Sequence, residues 1–204
     1  MNYRWQARRE TRPGAARSLQ AQIRVLEAEN RRLRKLVVVD DLTNAFNRRH
    51  FQETFRSLLR VRPQGYSLAL CLFDIDNFKT CNDAYGHLQG DRILREVAEA
   101  VTGALRRTSD RLFRLGGDEF GVLFWASSPV RALEAVNAMS QAIRLLEVPH
   151  AGAGHAGVTA SFGVVWRDIQ VSAQMDPQRM YAAADTALYE AKKSGRDCVR
   201  IRVL

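Results

Sequence analysis

The sequence predicts an α/β domain in which one mixed β-sheet is flanked by helices. Apolar runs with strand character alternate with helical patterns along most of the chain, which is typical of α/β proteins. In the middle, two short apolar runs are joined by a glycine-containing turn, which predicts a β-hairpin within the sheet. Before residue 38, apolar residues recur in steps of three and four, which indicates a separate N-terminal helix.

The composition fits one ordinary domain with an extension. The chain has 204 residues, of which 46% are hydrophobic and three are cysteines. No apolar run approaches the roughly 18 residues that span a bilayer, and the cysteines lack the spacing of a disulfide framework. We therefore expect a cytoplasmic protein without a transmembrane segment.

The positive charge is concentrated at the N-terminus. The net charge is +9, and residues 1–35 hold ten Lys and Arg against three Asp and Glu. Such a run is most often a solvated helix face; a phosphate-rich partner or an acidic membrane is the alternative. Because the rest of the chain is nearly balanced, no nucleic-acid partner is expected.

The N-terminal helix has the pattern of a short coiled coil. Apolar residues with one Asn occupy its a and d positions: Leu19, Ile23, Leu26, Asn30, Leu33 and Val37. Leucine at d, β-branched residues at a and one Asn at a favour a parallel two-stranded coil. The pattern predicts a homodimer through residues 19–37, with an extension over 1–39 and a catalytic domain over 40–204. An amphipathic helix packed on its own domain is the alternative.

The elements of the domain follow from local signals. A Pro-Gly turn at 62–65 ends the first helix, and Pro129 and Pro177 mark the starts of two later helices, since proline favours the first helical turn. The predicted order is helix 47–59, strand 67–73, a helix after residue 82, helix 90–105, strands 111–115 and 120–125, helix 129–146, strand 158–166, helix 177–194 and strand 198–203.

The predicted hairpin carries two adjacent acids at its tip. Gly116 and Gly117 precede Asp118 and Glu119 between the two apolar runs. Glycine allows a tight turn and a close ligand approach. Paired carboxylates are costly unless a cation binds, and Mg²⁺ usually binds together with substrate phosphates.

A second acidic stretch ends the strand that begins at Ser67. Asp74 and Asp76 are expected on one side of an extended chain, with a metal relieving their repulsion, and Lys79 follows as a phosphate contact. Two acidic strand ends in one sheet indicate two-metal phosphoryl or nucleotidyl transfer. Taken alone, an Asp at a strand end is more often a turn residue.

A third polar stretch runs from Asn82 to Asp91. An Asn amide matches a purine edge, and an Asp accepts from the N1–H and exocyclic amine of guanine, which adenine cannot offer in the same pattern. The alternative is that Asp91, directly after Gly90, caps the next helix.

These motifs together resemble the GGDEF-domain diguanylate cyclases. The resemblance runs from Asp40 to about Val203. Its motifs, in order, are Asp40-Asp41-Leu42-Thr43 with Asn47-Arg48-Arg49, Phe73 to Lys79, Asn82 to Asp91, Gly116 to Phe120, Val158 to Gly163, and Ala184-Asp185 through Arg196. Two departures are Asn44-Ala45-Phe46, where Gly-Leu is common, and Asn77, where an aromatic or aliphatic residue is common.

The resemblance implies a palm-like nucleotidyl-cyclase fold that condenses two GTP into cyclic di-GMP with release of two pyrophosphates. It implies a dimer with one GTP per domain and two Mg²⁺ ions, or Mn²⁺, per half-site. The implied metal ligands are Asp74, the Ile75 carbonyl, Asp118 and Glu119. Asp118 and Glu119 are also the implied catalytic residues, with Glu119 acting either as a metal ligand or as the base. The implied substrate contacts are Asn82 and Asp91 on guanine, His87 nearby, and Phe78, Lys79, Gly116, Gly117, Lys192 and Arg196 around the triphosphate.

The resemblance also implies an inhibitory product site. Arg107 and Asp110 form an Arg-x-x-Asp pattern five residues before Gly116, the spacing of that site in this family. Arg107 can fork onto a phosphate or the guanine O6 and N7; a surface turn is the alternative. A non-catalytic cyclic di-GMP receptor is the second candidate function, and a nucleic-acid-binding protein the third.

Overall fold

The computed structural model describes residues 20–27, 29, 33, 38–61, 63–146, 148, 157–167 and 176–204. The chain divides into two units, residues 1–38 and 39–204. In the first unit, the described residues are helical from 20 to 27 and at 29 and 33, and they include the exposed Ile23, Leu26 and Leu33. Leu19, Asn30 and Val37 lie outside the described residues, so the coiled coil stays a prediction.

The second unit contains one mixed sheet with helices on both faces, which confirms the predicted fold class. Its elements are β1 (Phe46–Asn47), α1 (Arg48–Leu58), β2 (Ser67–Ile75), α2 (Phe78–Tyr85), α3 (His87–Ala104), β3 (Arg111–Gly116), β4 (Glu119–Ala126), α4 (Pro129–Arg144), β5 (Ala160–Trp166), α5 (Pro177–Lys193) and β6 (Val199–Val203). None of the helices in the described ranges combines the length and hydropathy needed to cross a membrane.

The sheet places β2 near its centre. The strand order is β1-β3-β4-β2-β5-β6. The strand β2 pairs antiparallel with both β4 and β5, and the predicted hairpin is the antiparallel pair β3–β4. The two edge strands β1 and β6 run parallel to their neighbours.

Alternate residues of β2 enter two hydrophobic layers. Leu68, Leu70 and Leu72 pack in the layer that holds buried residues of α1 and α5. Cys71 and Phe73 pack in the layer that holds buried residues of α3 and α4. This two-residue period is what a strand covered on both faces requires, and it fixes which way each residue of β2 points.

Three stacked phenylalanines lie beside the carboxyl end of β2. The ring centroids of Phe73 and Phe120 are 5.1 Å apart, and those of Phe73 and Phe162 are also 5.1 Å apart. All three rings are buried. The acidic residues that follow Phe73 and precede Phe120 therefore rest on a closely packed aromatic layer.

Two helix starts differ from the predicted ones. The first helix after β2 begins at Phe78 rather than after Asn82, and the next begins at His87 rather than at Gly90. Gly86, with φ of 82°, separates the two helices. Gly90 is a buried residue inside α3 and does not mark its start. Asp91 therefore lies within the helix, and the capping alternative is wrong.

Candidate active site

The carboxyl end of β2 brings acids from two strands together. Asp74 is paired in register with Glu119 of β4 on one side and with Ser161 of β5 on the other. Asp74 is half-buried, whereas Glu119 is exposed as the first residue of its strand. Asp118 completes this group in the turn of the hairpin, and its carbonyl oxygen accepts a 3.4 Å hydrogen bond from the Ile75 N–H.

Lys192 is already paired with the innermost of these acids. Its Nζ lies 2.8 Å from Asp74 Oδ2. Burial raises the pKa of Asp74 to about 6; the Lys192 ammonium opposes this rise, and the carboxylates of Asp118 and Glu119 add to it. The position thus concentrates negative charge and accommodates a cation beside Asp74.

The hairpin turn is held in place by an arginine. Gly116 and Gly117 have φ of 150° and 55°, and the latter value is a left-handed conformation that suits glycine. Arg114 donates from Nε and Nη2 to the Gly117 carbonyl oxygen, at 3.0 and 2.9 Å. Its Nη1 lies 3.0 Å from Asp40 Oδ1. One side chain thereby ties the acidic turn to the segment that begins the domain.

Asp76 does not belong to the acidic group, contrary to the expectation that it shares one side of a strand with Asp74. The strand ends at Ile75, so the alternation does not reach Asp76, which is only 1% exposed. Its Oδ1 accepts from Ser161 Oγ at 2.7 Å and its Oδ2 from Thr159 Oγ1 at 2.9 Å. Hydrogen bonds to both of its oxygens satisfy this carboxylate.

Polar side chains lie close together where α2 meets α3. Asn82 packs so closely on Gly90 that a Cβ on Gly90 would lie 1.9 Å from Asn82 Oδ1 and 3.1 Å from Phe78 Cζ. Asn82 Oδ1 is buried and accepts no hydrogen bond within the described part of the chain. Asp91 follows Gly90 and is half-buried. A buried acceptor without a donor is costly, so this oxygen is suited to a ligand that carries an N–H.

The remaining predicted phosphate contacts lie at exposed positions. Lys79 is in the first turn of α2, and His87 is the first residue of α3. Arg196 follows the end of α5 with φ of 65°, and its side chain is exposed. Of the predicted basic residues, Lys192 alone has a described ion pair with the acidic group.

The Arg-x-x-Asp pattern lines a cavity of about 280 Å³. The Arg107 N–H donates to Asp110 Oδ2 at 3.2 Å, and Asp110 Oδ1 is buried without a hydrogen bond in the described ranges. Burial raises the pKa of Asp110. The Arg107 Cζ lies 4.2 Å from the centroid of the Tyr66 ring, which also lines the cavity.

The family model for the diguanylate cyclase GGDEF domain matches residues 37–198. The chain belongs to the GGDEF domain family. A curated relative, the diguanylate cyclase DgcS of Shewanella oneidensis, is 34% identical over 163 residues, which are 79% of this chain and 52% of that protein. The chain thus spans about half the length of this relative.

Solved structures of GGDEF proteins have the same fold. The diguanylate cyclase SiaD of Pseudomonas aeruginosa, solved with its activator SiaC, is 31% identical with a TM-score of 0.69, covering 93% of this chain and 74% of that chain. The GGDEF domain of DgcB from Caulobacter crescentus, solved with c-di-GMP, is 26% identical with a TM-score of 0.69, covering 80% of this chain and 95% of that one.

Both departures from the GGDEF pattern have a backbone explanation. Asn44 and Asn77 have φ of 58° and 55°, which is the left-handed region. Apart from glycine, Asn is among the residues that adopt this conformation most readily. Asn44 therefore suits a position where Gly is common, and Asn77 adopts a left-handed conformation just before α2 begins.

GGDEF diguanylate cyclases depend on a metal. The described residues include no group of three or more His, Cys, Asp and Glu side chains arranged to hold one. Magnesium nevertheless usually binds through one or two carboxylates together with substrate phosphates. The oxygens of Asp74 and Glu119 fit that donor set, and the ammonium of Lys192 shows that a cation is accommodated there.

Three residues at the site carried no role in the sequence interpretation. Arg114 holds the hairpin turn, Asp40 pairs with Arg114, and Tyr181 lies close enough to Glu119 that burial and this carboxylate both raise the pKa of its phenol. The first two lie inside or beside motifs of the GGDEF pattern, so the motif boundaries were the available signal. No sequence signal indicated Tyr181, since this residue comes close to Glu119 only when α5 packs on the sheet.

Proposed function

We propose that this chain is a diguanylate cyclase that condenses two GTP molecules into cyclic di-GMP and two pyrophosphates. The observation that carries the proposal is the pairing of Asp74 with Glu119 across two strands, with Lys192 Nζ 2.8 Å from Asp74 Oδ2. This arrangement places cation-binding carboxylates next to a phosphate-binding ammonium. Membership of the GGDEF family supports the same reaction.

Asn82 and Asp91 recognise the guanine base. The Watson–Crick edge of guanine offers the N1–H and the exocyclic amine as donors, whereas adenine presents an acceptor at N1. The buried and unpaired Asn82 Oδ1 needs a donor, and the Asp91 carboxylate accepts only. ATP leaves at least one of these acceptors unsatisfied, so the pocket selects GTP.

The triphosphate extends from this pocket across the hairpin. Phe78 packs beside the base, Gly116 and Gly117 let the phosphates approach the backbone, and Lys79, Lys192 and Arg196 neutralise them, with His87 nearby. Asp74, the Ile75 carbonyl, Asp118 and Glu119 would supply the oxygens that hold Mg²⁺ or Mn²⁺, with two ions in each half-site. When bound, the metal would supply charge neutralisation at the phosphates.

Two domains must face each other for the reaction. In each half, the ribose 3′-hydroxyl of one GTP attacks the α-phosphorus of the other, a phosphodiester bond forms and pyrophosphate leaves. Glu119 is exposed at the edge that a second domain faces; it either holds the metal or accepts the hydroxyl proton. Each domain supplies one GTP, so the product has two-fold symmetry and the interface is isologous.

The N-terminal helix brings the second domain close by dimerisation. A parallel coiled coil through residues 19–37 raises the local concentration of one catalytic domain beside its twin. The exposed Ile23, Leu26 and Leu33 support this role. Replacing Ile23 and Leu26 by Asp tests this role. At low protein concentration, we expect the variant to lose dimerisation and turnover; unchanged dimerisation would contradict the role.

The cavity beside Arg107 and Asp110 is the inhibitory product site. Arg107 supplies a planar cation for a phosphate or the guanine O6 and N7, and the unpaired Asp110 Oδ1 supplies an acceptor for guanine N1–H. The c-di-GMP complex of the similar DgcB domain supports product binding. Arg107→Ala is expected to relieve inhibition by added cyclic di-GMP, and unchanged inhibition would contradict this site.

The reaction itself is tested with purified protein, GTP and Mg²⁺, with products separated by chromatography and identified by mass. Cyclic di-GMP is expected from the parent, none from Asp118→Ala/Glu119→Ala, and none from ATP. Glu53→Ala, which removes an exposed acid of α1 distant in sequence from the site, is the matched control and should stay active. Product binding without turnover at concentrations that allow dimers would instead make the protein a cyclic di-GMP receptor.

A further inference from the structure

The segment after α5 has an unusual backbone. Gly195, Arg196 and Asp197 have φ of 105°, 65° and 47°, so two residues with side chains follow glycine in the left-handed region. Such conformations persist only where surrounding contacts hold them, and they concentrate at ligand clamps. Arg196, the exposed arginine of this segment, is therefore presented by a strained backbone.

The first contact that holds this segment comes from the interior. The Asp197 N–H donates to Asp76 Oδ2 at 3.0 Å. The same oxygen accepts from Thr159 Oγ1 at 2.9 Å, and Asp76 Oδ1 accepts from Ser161 Oγ at 2.7 Å. Because the hydroxyls of Thr159 and Ser161 hold the Asp76 carboxylate, its position does not depend on the hydrogen bond from the Asp197 N–H.

The second contact comes from the end of α4. Arg144 donates from Nε to Asp197 Oδ1 at 2.8 Å and from Nη2 to the Asp197 carbonyl oxygen at 2.9 Å. The Arg196 N–H donates to the Ala191 carbonyl oxygen at 3.2 Å. Asp197 is thus held through its N–H, its carbonyl and its side chain, which leaves its backbone little freedom.

We propose that Asp76 and Arg144 are positioning residues that set the place of Arg196. The inference rests on the proposed function, in which Lys192 and Arg196 hold the triphosphate. Asp76 follows Asp74 by two residues, just past the end of β2. The buried carboxylate that holds the Asp197 N–H is therefore close along the chain to the carboxylate that is paired with Lys192.

This role differs from metal binding in what it requires of Asp76. A metal ligand needs the negative charge, whereas a positioning residue needs an acceptor for the Asp197 N–H. An Asn at this position can keep its carbonyl oxygen on Asp197 and Thr159 and turn its amide toward Ser161, whose hydroxyl also accepts. Asp76→Asn therefore separates the two roles.

The surface contact is tested first, because Arg144→Ala carries no risk of a buried cavity. We expect Arg144→Ala to raise the Kd for N-methylanthraniloyl-GTP with Mg²⁺ and the KM for GTP by about tenfold, the lower end of the cost of losing a residue that orients a metal ligand, while kcat changes less. Arg202→Ala is the matched control, since it removes another exposed ion pair, that between Arg202 of β6 and Glu190 of α5; it should change Kd less than about twofold.

The action through Arg196 is tested in a double variant. In the Arg196→Ala background, adding Arg144→Ala should leave Kd unchanged. A parent-like Kd for Arg144→Ala alone, or a further loss in that background, would overturn the inference.

The interior contact is tested with two substitutions. Asp76→Asn is expected to keep nucleotide affinity near that of the parent, and Asp76→Ala to lower it as Arg144→Ala does. Loss of affinity in a folded Asp76→Asn protein would overturn the positioning role. If the parent binds GTP and the variants follow this order but no protein forms cyclic di-GMP, the proposed function fails and the positioning role stands.

Discussion

Arg114 and Asp40, 74 positions apart in the chain, form an ion pair whose Nη1–Oδ1 distance is 3.0 Å. The pair is well shielded, with 15% of the Arg114 side chain and 24% of the Asp40 side chain exposed. The other donors of the same guanidinium hold the Gly117 carbonyl oxygen. The first residues of the GGDEF domain are therefore connected to the acidic turn by one side chain.

Removing this connection should impair both stability and turnover. In Arg114→Ala, Asp40 loses its cation and the Gly117 carbonyl loses both donors, so we expect a loss of about 1–3 kcal/mol in the free energy of unfolding. We also expect a lower kcat, since the Asp118–Glu119 turn is no longer held. Denaturant unfolding and initial rates measure the two effects.

The control for this variant lies on the same strand. Arg111→Ala truncates an arginine whose Cζ lies 5.4 Å from the centroid of the Phe46 ring and which has no described bond to the turn. Its kcat should remain near that of the parent. Equal losses of kcat in the two variants would show that Arg114 has no specific role in holding the turn.

The Asp40 contribution to stability should depend on pH. Burial alone would raise the pKa of Asp40, but hydrogen bonds from Thr43 and Arg114 outweigh it and hold the pKa below its ordinary value. A lowered folded-state pKa contributes stability above the unfolded pKa of about 3.9, and this contribution is lost as the pH falls through the lower, folded value.

We therefore expect the difference in unfolding free energy between the parent and Asp40→Ala to be largest near neutral pH and to shrink only below about pH 4. Urea unfolding over a pH series measures it. A difference that is already lost near pH 6 would show that another group is responsible.

Gly90 should be essential for nucleotide recognition because its missing side chain makes room for Asn82. A Cβ would lie 1.9 Å from Asn82 Oδ1, so Gly90→Ala must displace that amide. We expect a large rise in the KM for GTP and weaker discrimination against ATP. Steady-state kinetics with both nucleotides measures this.

Gly103 is the matched control on the same helix. Apart from its chain neighbours and the backbone of its own helix, no atom lies within 4 Å of the position that its Cβ would take. Gly103→Ala should leave the KM unchanged and stabilise the protein by about 1 kcal/mol, the usual difference between the two residues in a helix. If Gly90→Ala behaved in the same way, Asn82 would not form the guanine pocket.

The local pattern of the sequence was enough to predict most elements but not their arrangement. The continuous apolar run from Leu68 to Phe73 predicted β2, and the glycines at 116 and 117 predicted the hairpin. The order of the six strands depends on pairings between distant segments, such as Ala160–Trp166 with β2. Propensity and period contain no information on those pairings, so only the family resemblance pointed to them.

Asp74 and Asp76 show the same limit at the site. Their spacing predicted that both side chains share one face of the strand. Asp76 instead lies past the end of β2, and its carboxylate is held by two hydroxyls that are 83 and 85 positions further along the chain. The predictions of the two helix starts were wrong for a related reason. Asn77 adopts a left-handed conformation without a side-chain cap bond, so the usual capping signal was missing.

Gly163 should be required for α5 to pack on the sheet. A Cβ at this position of β5 would lie 2.2 Å from both the Ala184 carbonyl oxygen and the Leu188 nitrogen, and backbone atoms cannot move aside as a side-chain end can. We expect Gly163→Ala to destabilise the fold by about 1–3 kcal/mol or more and to raise the KM for GTP by displacing Lys192. Denaturant unfolding and kinetics measure both; parent-like stability would mean that α5 has room to shift.

Tyr66 should tune product inhibition through its contact with Arg107. The Arg107 Cζ lies 4.2 Å from the ring centroid, which is cation–π distance, and the contact orients a guanidinium that is otherwise exposed. Tyr66→Leu keeps apolar bulk but removes the ring. Since such contacts at exposed sites contribute about 0.5–1 kcal/mol, inhibition by cyclic di-GMP should weaken about two- to fivefold.

The measurement is the concentration of added cyclic di-GMP that halves the initial rate. Tyr189→Leu is the control, because it removes a similar contact, with Lys193 Nζ 4.7 Å from the ring centroid, that lies away from the cavity. In an Arg107→Ala background, Tyr66→Leu should have no further effect, since the ring acts only on that guanidinium. A loss of inhibition in Tyr66→Leu that persists without the Arg107 side chain would instead mean that the ring contacts the product directly.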